Sequence, residues 1–455
     1  MPQTDERDGT SARQNSAARQ FLLMLLGQER LEDRAQMLAL LRQVNWPEFL
    51  EVTSEDLYPY VGSRLEPYVG SLETPPEWER FSEARRLTAI HNLRLRHELG
   101  KVLDALRQHE IPALALKGIV LAHTSYPELS LRPMSDLDLL VPPEKREAAV
   151  HVVQMLGYEY SEAALATHRN QMWDLAANEE VAPPLRHGTS GTLLEIHSQL
   201  ECSEPILPMP VQEFWSRSIL VEVNGLKVRT LCAEDFLLHL CLHQSRHHRF
   251  EKGFLPLIDL RLLIESQAQW KWSGIVERCL RCGCATWMYL SLELARDLVG
   301  APIPDTFFRG LSQPNNLPEL RRIAEDQLWS AKCEKQFVPG LVSRLLAEPS
   351  WRTRARMVGT RIRPVGRRED PGMVHPAAAS LVQRARLEFW RLITTLKVKV
   401  PRYIFAWRSG YLNSRAIQRK ATVRRASNSL FQLVEGDMSC GRQRALAGAR
   451  PTQSE

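Results

Sequence analysis

Cysteine is scarce in this chain, with 8 in 455 residues. That is too few for a disulfide-stapled secreted framework. The one cluster, Cys279, Cys282 and Cys284, lacks the second Cys or His pair that a zinc ribbon needs, and Cys333 stands alone. It reads instead as the end of a helix capped by Gly283. Long apolar runs are missing as well. Nowhere do about 18 uncharged apolar residues follow one another, so no spanning helix is predicted. The first twenty residues are polar, and the apolar run 21–26 is too short and too late for a signal peptide. These absences predict a cytoplasmic protein. The His-Glu-x-x-His pattern of metalloproteases is absent too. His239, His243 and His247 do recur at i, i+4 and i+8, with His248 beside them, a spacing that can bind zinc. Without the glutamate they read as a polar seam on a helix, with His243 as the member placed to face a cleft.

Charge is present but uneven. The net charge is +6, yet residues 351–455 carry 22 Lys/Arg against 6 Asp/Glu, and the rest of the chain 37 against 47. A mildly acidic body is joined to a basic tail, which suits an anionic partner. Around 384–408 the basic residues interleave with aromatics such as Trp390, Tyr403 and Trp407. Residues 351–425 are therefore candidates for contact with nucleic acid, through phosphates and stacking. An anionic membrane surface, peripherally bound, fits the same pattern, and a solvated arm is the third reading.

Hydrophobic content of 44% and charged content of 25% are those of a globular protein. Residues 1–17 are polar and aperiodic and read as disordered. From 18 to 110 the apolar spacing is helical, and 77–109 predicts a long amphipathic helix with Leu87, Ile90, Leu93, Leu95, Leu99, Val102, Leu103 and Leu106 inward. The period then shortens. Residues 111–116 predict a buried strand, 118–123 a short helix, and 136–141 a strand with clean alternation. Residues 144–156 predict a helix capped by Gly157. Tyr158 to Tyr160 and 191–200 predict strands, and Asn224-Gly225 a hairpin turn. Helices return from 231 to about 347, with Glu234 and Asp235 in a first turn where the helix dipole favours them. The whole predicts an α+β protein: a small mixed-sheet domain over 111–230, flanked by helical regions at 18–110 and 231–347, with a basic tail over 348–455.

The chemistry-bearing residues lie in the middle domain. Asp136 and Asp138, separated by one residue on a strand, project from one face about 6–7 Å apart. Carboxylates so placed can converge on one or two Mg²⁺ ions, which take carboxylate and phosphate oxygens. Glu195 is suited to be the third carboxylate, on a later strand whose same face shows His197. Lys117-Gly118 follows a strand and opens a helix, so its N–H groups, the Lys117 charge and the missing Gly118 side chain suit a phosphate group. Arg132 is a candidate clamp on that phosphate and Ser135 a neighbouring contact. An isolated Asp-x-Asp is common. The order strand, Lys-Gly, helix, Asp-x-Asp strand, acidic strand is what singles this one out.

The segments Leu114-Ala-Leu-Lys-Gly118, Tyr126-Pro127, Leu131-Arg-Pro-Met-Ser-Asp-Leu-Asp-Leu-Leu-Val141, Gly157-Tyr158 and Leu194-Glu-Ile-His197 resemble the bacterial uncharacterised nucleotidyltransferase family, a branch of the DNA polymerase β-like superfamily. Leu237-Leu-His-Leu-Cys-Leu-His243 and Leu257-Ile-Asp259 resemble its helical part. The resemblance covers about 85–265 and loosely 20–340, and the Arg-Pro-Met-Ser-Asp-Leu-Asp run is its most specific piece. It implies transfer of NMP from an NTP to an acceptor with Mg²⁺. Asp136 and Asp138 would be metal ligands and Glu195 a ligand or base. Lys117-Gly118 stand where the superfamily usually has Gly-Ser or Gly-Gly, a departure shared within this branch. Family members resemble components of exopolysaccharide or secondary-metabolite gene clusters, and no acceptor is implied. The rival reading is an adaptor of the same fold, weak or inactive as a catalyst, that docks on membrane or nucleic acid through its basic tail. A modifier of protein or RNA is a third.

Overall fold

The computed structural model describes residues 17–27, 34–69, 77–160, 184–200 and 211–330, together with Leu430 and Val434. The chain divides into two compact units, Met1–Trp329 with Phe431–Glu455 and Ser330–Leu430. The sheet and the helices up to Trp329 belong to the first. Except for Ala17, Leu430 and Val434, the segment expected to be disordered and the basic tail, with its aromatic stretch, lie outside the described residues.

Short helices open the described chain: α1 (Ala17–Leu26), α2 (Arg34–Gln43), α3 (Trp46–Val52) and α4 (Tyr58–Leu65). Asn45 caps α3 by accepting from the Glu48 N–H, which satisfies one of the donors a helix start leaves open. The 31-residue helix α5 (Trp78–Gln108) follows, about 46 Å long at 1.5 Å per residue. It buries one stripe, Phe81, Thr88, Asn92, Leu95, Leu99, Val102 and Leu106, at the 3–4 spacing of a helix packed on one side. Leu87, Ile90 and Leu93, expected inward, are instead 51%, 46% and 46% exposed. The physical reason is angular. At 100° per residue Ile90 lies on the far side of the helix from Leu99, and a helix packed along one stripe leaves the opposite side in solvent.

The sheet has seven strands: β1 (Leu114–Leu116), β2 (Asp136–Leu140), β3 (Tyr158–Tyr160), β4 (Leu185–His187), β5 (Leu193–His197), β6 (Ile219–Val223) and β7 (Leu226–Thr230). Their order is β3-β4-β5-β2-β1-β7-β6. It is mixed: β2/β5 and β1/β7 are parallel and the other pairs antiparallel. The architecture is thus α+β. The β6–β7 hairpin turns on Asn224 and Gly225, whose φ of 48° and 80° are the left-handed pair such a two-residue turn requires. Between the strands lie α6 (Gly118–Thr124), α7 (Arg146–Met155) and α8 (Val211–Arg217). Period-2 alternation gives the two central strands unlike faces. Leu137, Leu139, Leu194 and Ile196 are fully buried, and the alternate positions are left for Asp136, Asp138, Glu195 and His197.

Beyond the sheet run α9 (Ala233–Leu242), α10 (Leu255–Glu265), α11 (Trp272–Cys282), α12 (Ala285–Val299), α13 (Asp305–Leu311) and α14 (Leu317–Ser330). Asp235 in the first turn of α9 is fully buried. It accepts from Arg217 at 2.9 and 3.1 Å and from Arg278. Gly283, at φ 67°, caps α11 in the left-handed conformation, so the cysteine cluster is the end of a helix, as its spacing predicts. No helix among the described residues is long and apolar enough to cross a membrane.

Candidate active site

Strand pairing brings the acidic residues together. In the parallel β2/β5 ladder Asp136 stands opposite Leu193, Asp138 opposite Glu195 and Leu140 opposite His197. On the other side of β2, Leu116 stands opposite Asp138, so the next residue, Lys117, leaves β1 directly beside that carboxylate. Asp138 is buried, and its Oδ1 accepts from Lys117 Nζ and from His197 Nε2, each at 2.9 Å. His197 Nε2 also lies 3.5 Å from Glu195 Oε2. One ligand atom each from Asp138, Glu195 and His197 falls within 4.8 Å of the others. Two carboxylates and an imidazole converging in this way fit a divalent cation. The oxygens suit Mg²⁺ or Mn²⁺, and the imidazole widens the choice to ions that accept nitrogen.

The electrostatics are uneven across the group. Burial pushes Glu195 up, the Asp138 charge adds to it, and Glu195 stands at about 7. Asp136 is raised by the same two causes, against Lys117 and a hydrogen bond from the Ser135 hydroxyl. Asp138 goes the other way. Burial opposes its charge, but Lys117 and His197 more than offset that and hold it below the usual carboxylate range. Lys117 acts on all three carboxylates. Asp138 is therefore the fixed charge of the cluster, and Asp136 and Glu195 are its adjustable members.

Lys117 reaches this position through strained backbone. Its φ is 52° and ψ −129°, a region that non-glycine residues rarely occupy and that costs on the order of 1–3 kcal/mol. The turn directs the chain from β1 into α6 while placing the ammonium over Asp138.

Gly118, expected to admit a phosphate, is buried against the protein's own Arg132. A Cβ there would lie 2.1 Å from Arg132 Nη1 and 2.9 Å from Met134 Cγ. Arg132 in turn is held by Asp259 on α10, with Nε to Oδ1 at 3.2 Å and Nη2 to Oδ2 at 2.8 Å. The Tyr126 hydroxyl donates to the same Oδ1 at 2.7 Å. Asn92 of α5 secures the backbone ahead of β2, donating to the carbonyls of Leu129 and Arg132. Arg132 thus joins the approach to Asp136 to the helical part instead of presenting an open fork. Sequence reasoning missed Asp259 and Tyr126 as its partners. The only signal was their place in the family-like segments.

His243 lies among other histidines. After α9 the helix widens to a π-turn over His243–His247. The His243 ring stacks on His247 at 5.3 Å between centroids and meets His248 edge-on at 4.4 Å. The contact to Asp138 is made by His197.

Residues 42–300 match the model of the uncharacterised nucleotidyltransferase family, more than half of the chain, and the chain belongs to that family. It is also similar to the solution structure of the antibiotic-resistance factor ANT(2'')-Ia, at 16% identity and a TM-score of 0.27, covering 39% of this chain and 85% of that one. No curated protein matches.

Proposed function

We propose that this protein is a divalent-metal-dependent nucleotidyltransferase that moves NMP from an NTP to an acceptor. The observation that carries the reading is the in-register pairing of Asp138 with Glu195 on parallel strands, with donor atoms converging beside Lys117, in a chain of this family.

Asp138 and Glu195, with Asp136 two residues before Asp138 on the same strand, are the residues to hold one or two Mg²⁺ or Mn²⁺ ions. His197, through Nε2, fixes the rotamer of Asp138. Bound metal would supply Lewis acidity at the α-phosphate and charge neutralisation on the leaving group. The acceptor oxygen attacks the α-phosphorus, the bond to the β-phosphate oxygen breaks, and pyrophosphate leaves. Glu195, paired with Asp138 across the ladder, is placed to complete the metal site and to take the acceptor's proton. Ser135, beside Asp136, and Lys117 are the residues assigned to the nucleotide's phosphates, while Gly118 backs onto Arg132. The basic residues of 351–425 are proposed as contacts for an anionic partner on their charge alone.

The test is incubation with each α-labelled NTP and cell extract, followed by asking whether label enters protein, RNA or a small molecule. Asp136→Asn with Asp138→Asn should abolish incorporation while circular dichroism stays unchanged. Full incorporation by the folded double variant would sink the assignment.

A further inference from the structure

The Lys117 ammonium and a divalent cation address the same oxygen. Asp138 Oδ1 is the atom Lys117 Nζ donates to at 2.9 Å, and Asp138 belongs to the group whose donors converge for a metal. The ammonium is not there by default. A cation at a helix start opposes the helix dipole, and Lys117 sits at φ 52°, where a glycine would be at ease. Both features disfavour a lysine, and the compensation in the structure is the charge of Asp138. A lysine is a compact point charge on a flexible stem, which can leave one partner for another, unlike a forked guanidinium. A divalent ion on Asp138 would meet that like charge within a few ångströms, in surroundings where such repulsion is stronger than in water.

We propose that Lys117 is a tethered counter-ion of the carboxylate group, so that entry of a divalent cation at Asp138 and departure of the Lys117 ammonium are one event. This rests on the reading of Asp138 as a metal ligand and adds to it a competitor built into the chain. Lys117 is then a positioning residue with two stations. One is Asp138, and the other is the phosphate oxygens of a bound nucleotide.

The test is binding of Mn²⁺ alone to the full chain, without nucleotide, at pH 8, followed by electron paramagnetic resonance or calorimetry. Lys117→Met should bind Mn²⁺ about tenfold or more tightly than wild type, because a like charge has been removed from beside the ion. Asp138→Asn should lose most of the binding. Equal or weaker binding by folded Lys117→Met overturns the counter-ion role while leaving the metal reading intact. Binding that ignores Asp138→Asn overturns both. Should Lys117→Met fail to fold, the wild type answers the question by lysine acylation read by peptide mass spectrometry. Mn²⁺ should raise labelling of Lys117 several-fold relative to Lys101 and Lys227, and unchanged or reduced labelling overturns the proposal.

Discussion

Asp138 and Asp259 are both buried, and each faces a cation, yet their surroundings differ at every point. Asp259 receives two donors from the Arg132 fork and a third from Tyr126. Burial opposes the Arg132 charge, and Asp259 more than offsets it and holds the guanidinium protonated. Burial and then Asp259 push the Tyr126 phenol well up. In that cluster the two charges answer one another. Asp138 instead has a lysine and a histidine on a single oxygen. Two more carboxylates, Asp136 and Glu195, sit beside it with raised affinity for protons. A bidentate, satisfied pair fastens two parts of a fold. A pair held by a movable point charge, next to under-neutralised carboxylates, stores a demand for positive charge.

The contrast can be broken at either pair. The largest effect is expected at Asp138. Asp138→Asn should lower NMP transfer by more than about a thousandfold, roughly 4 kcal/mol of barrier, while shifting the urea midpoint far less than a change at Asp259 does. Asp259→Ala should cost about 3–5 kcal/mol in urea unfolding, since Arg132 is left buried without its partner. A midpoint like that of wild type would dissolve the distinction between the pairs. Gly118→Ala drives a methyl onto Arg132 Nη1 and should cost about 1–3 kcal/mol, the range for overpacking. Combined with Arg132→Ala, that cost should largely vanish.

The smallest effect sharpens the electrostatics. Glu195 stands at about 7 in the fold against an ordinary value of 4.5. Between those pH values the folded chain keeps a proton that the unfolded chain gives up, so stability falls as pH rises through the window. Asp138, held below the usual range, works in the opposite sense but at more acid pH. In EDTA, the unfolding free energy of wild type should decline by about 1–3 kcal/mol from pH 4.5 to 7, and Glu195→Gln should flatten the decline. Parallel curves would show that the proton resides elsewhere.

Much of this was legible because it is periodic. Alternation marked β2 and β5 and put Asp136 with Asp138 on one face of the first and Glu195 with His197 on one face of the second, and Asn224-Gly225 marked the hairpin. What stayed hidden depends on angles and on distant partners. The apolar residues of α5 outnumber those one stripe can bury, and composition does not say whether Ile90 or Leu99 turns inward. Arg132 looked like a free clamp because its partner is 127 positions away. Gly118 looked like room for a phosphate when the space is filled from within. That Lys117 touches Asp138 follows from the antiparallel register of β1 and β2, which no local pattern specifies.

The register of β2 on β5 carries a further consequence. Glu195 and His197 share their strand with Leu194 and Ile196, which point the other way into the dry interior. A slip of one residue would send the carboxylate and the imidazole into that interior and push two aliphatic side chains into the cleft. Burying one Leu or Ile is worth roughly 1.5–3 kcal/mol, so a misaligned strand is rejected by its greasy side before its acidic side is ever used. The hydrophobic effect thereby proofreads the alignment of the reactive groups, and substitutions that weaken the apolar face of β5 should show first as heterogeneity in metal binding.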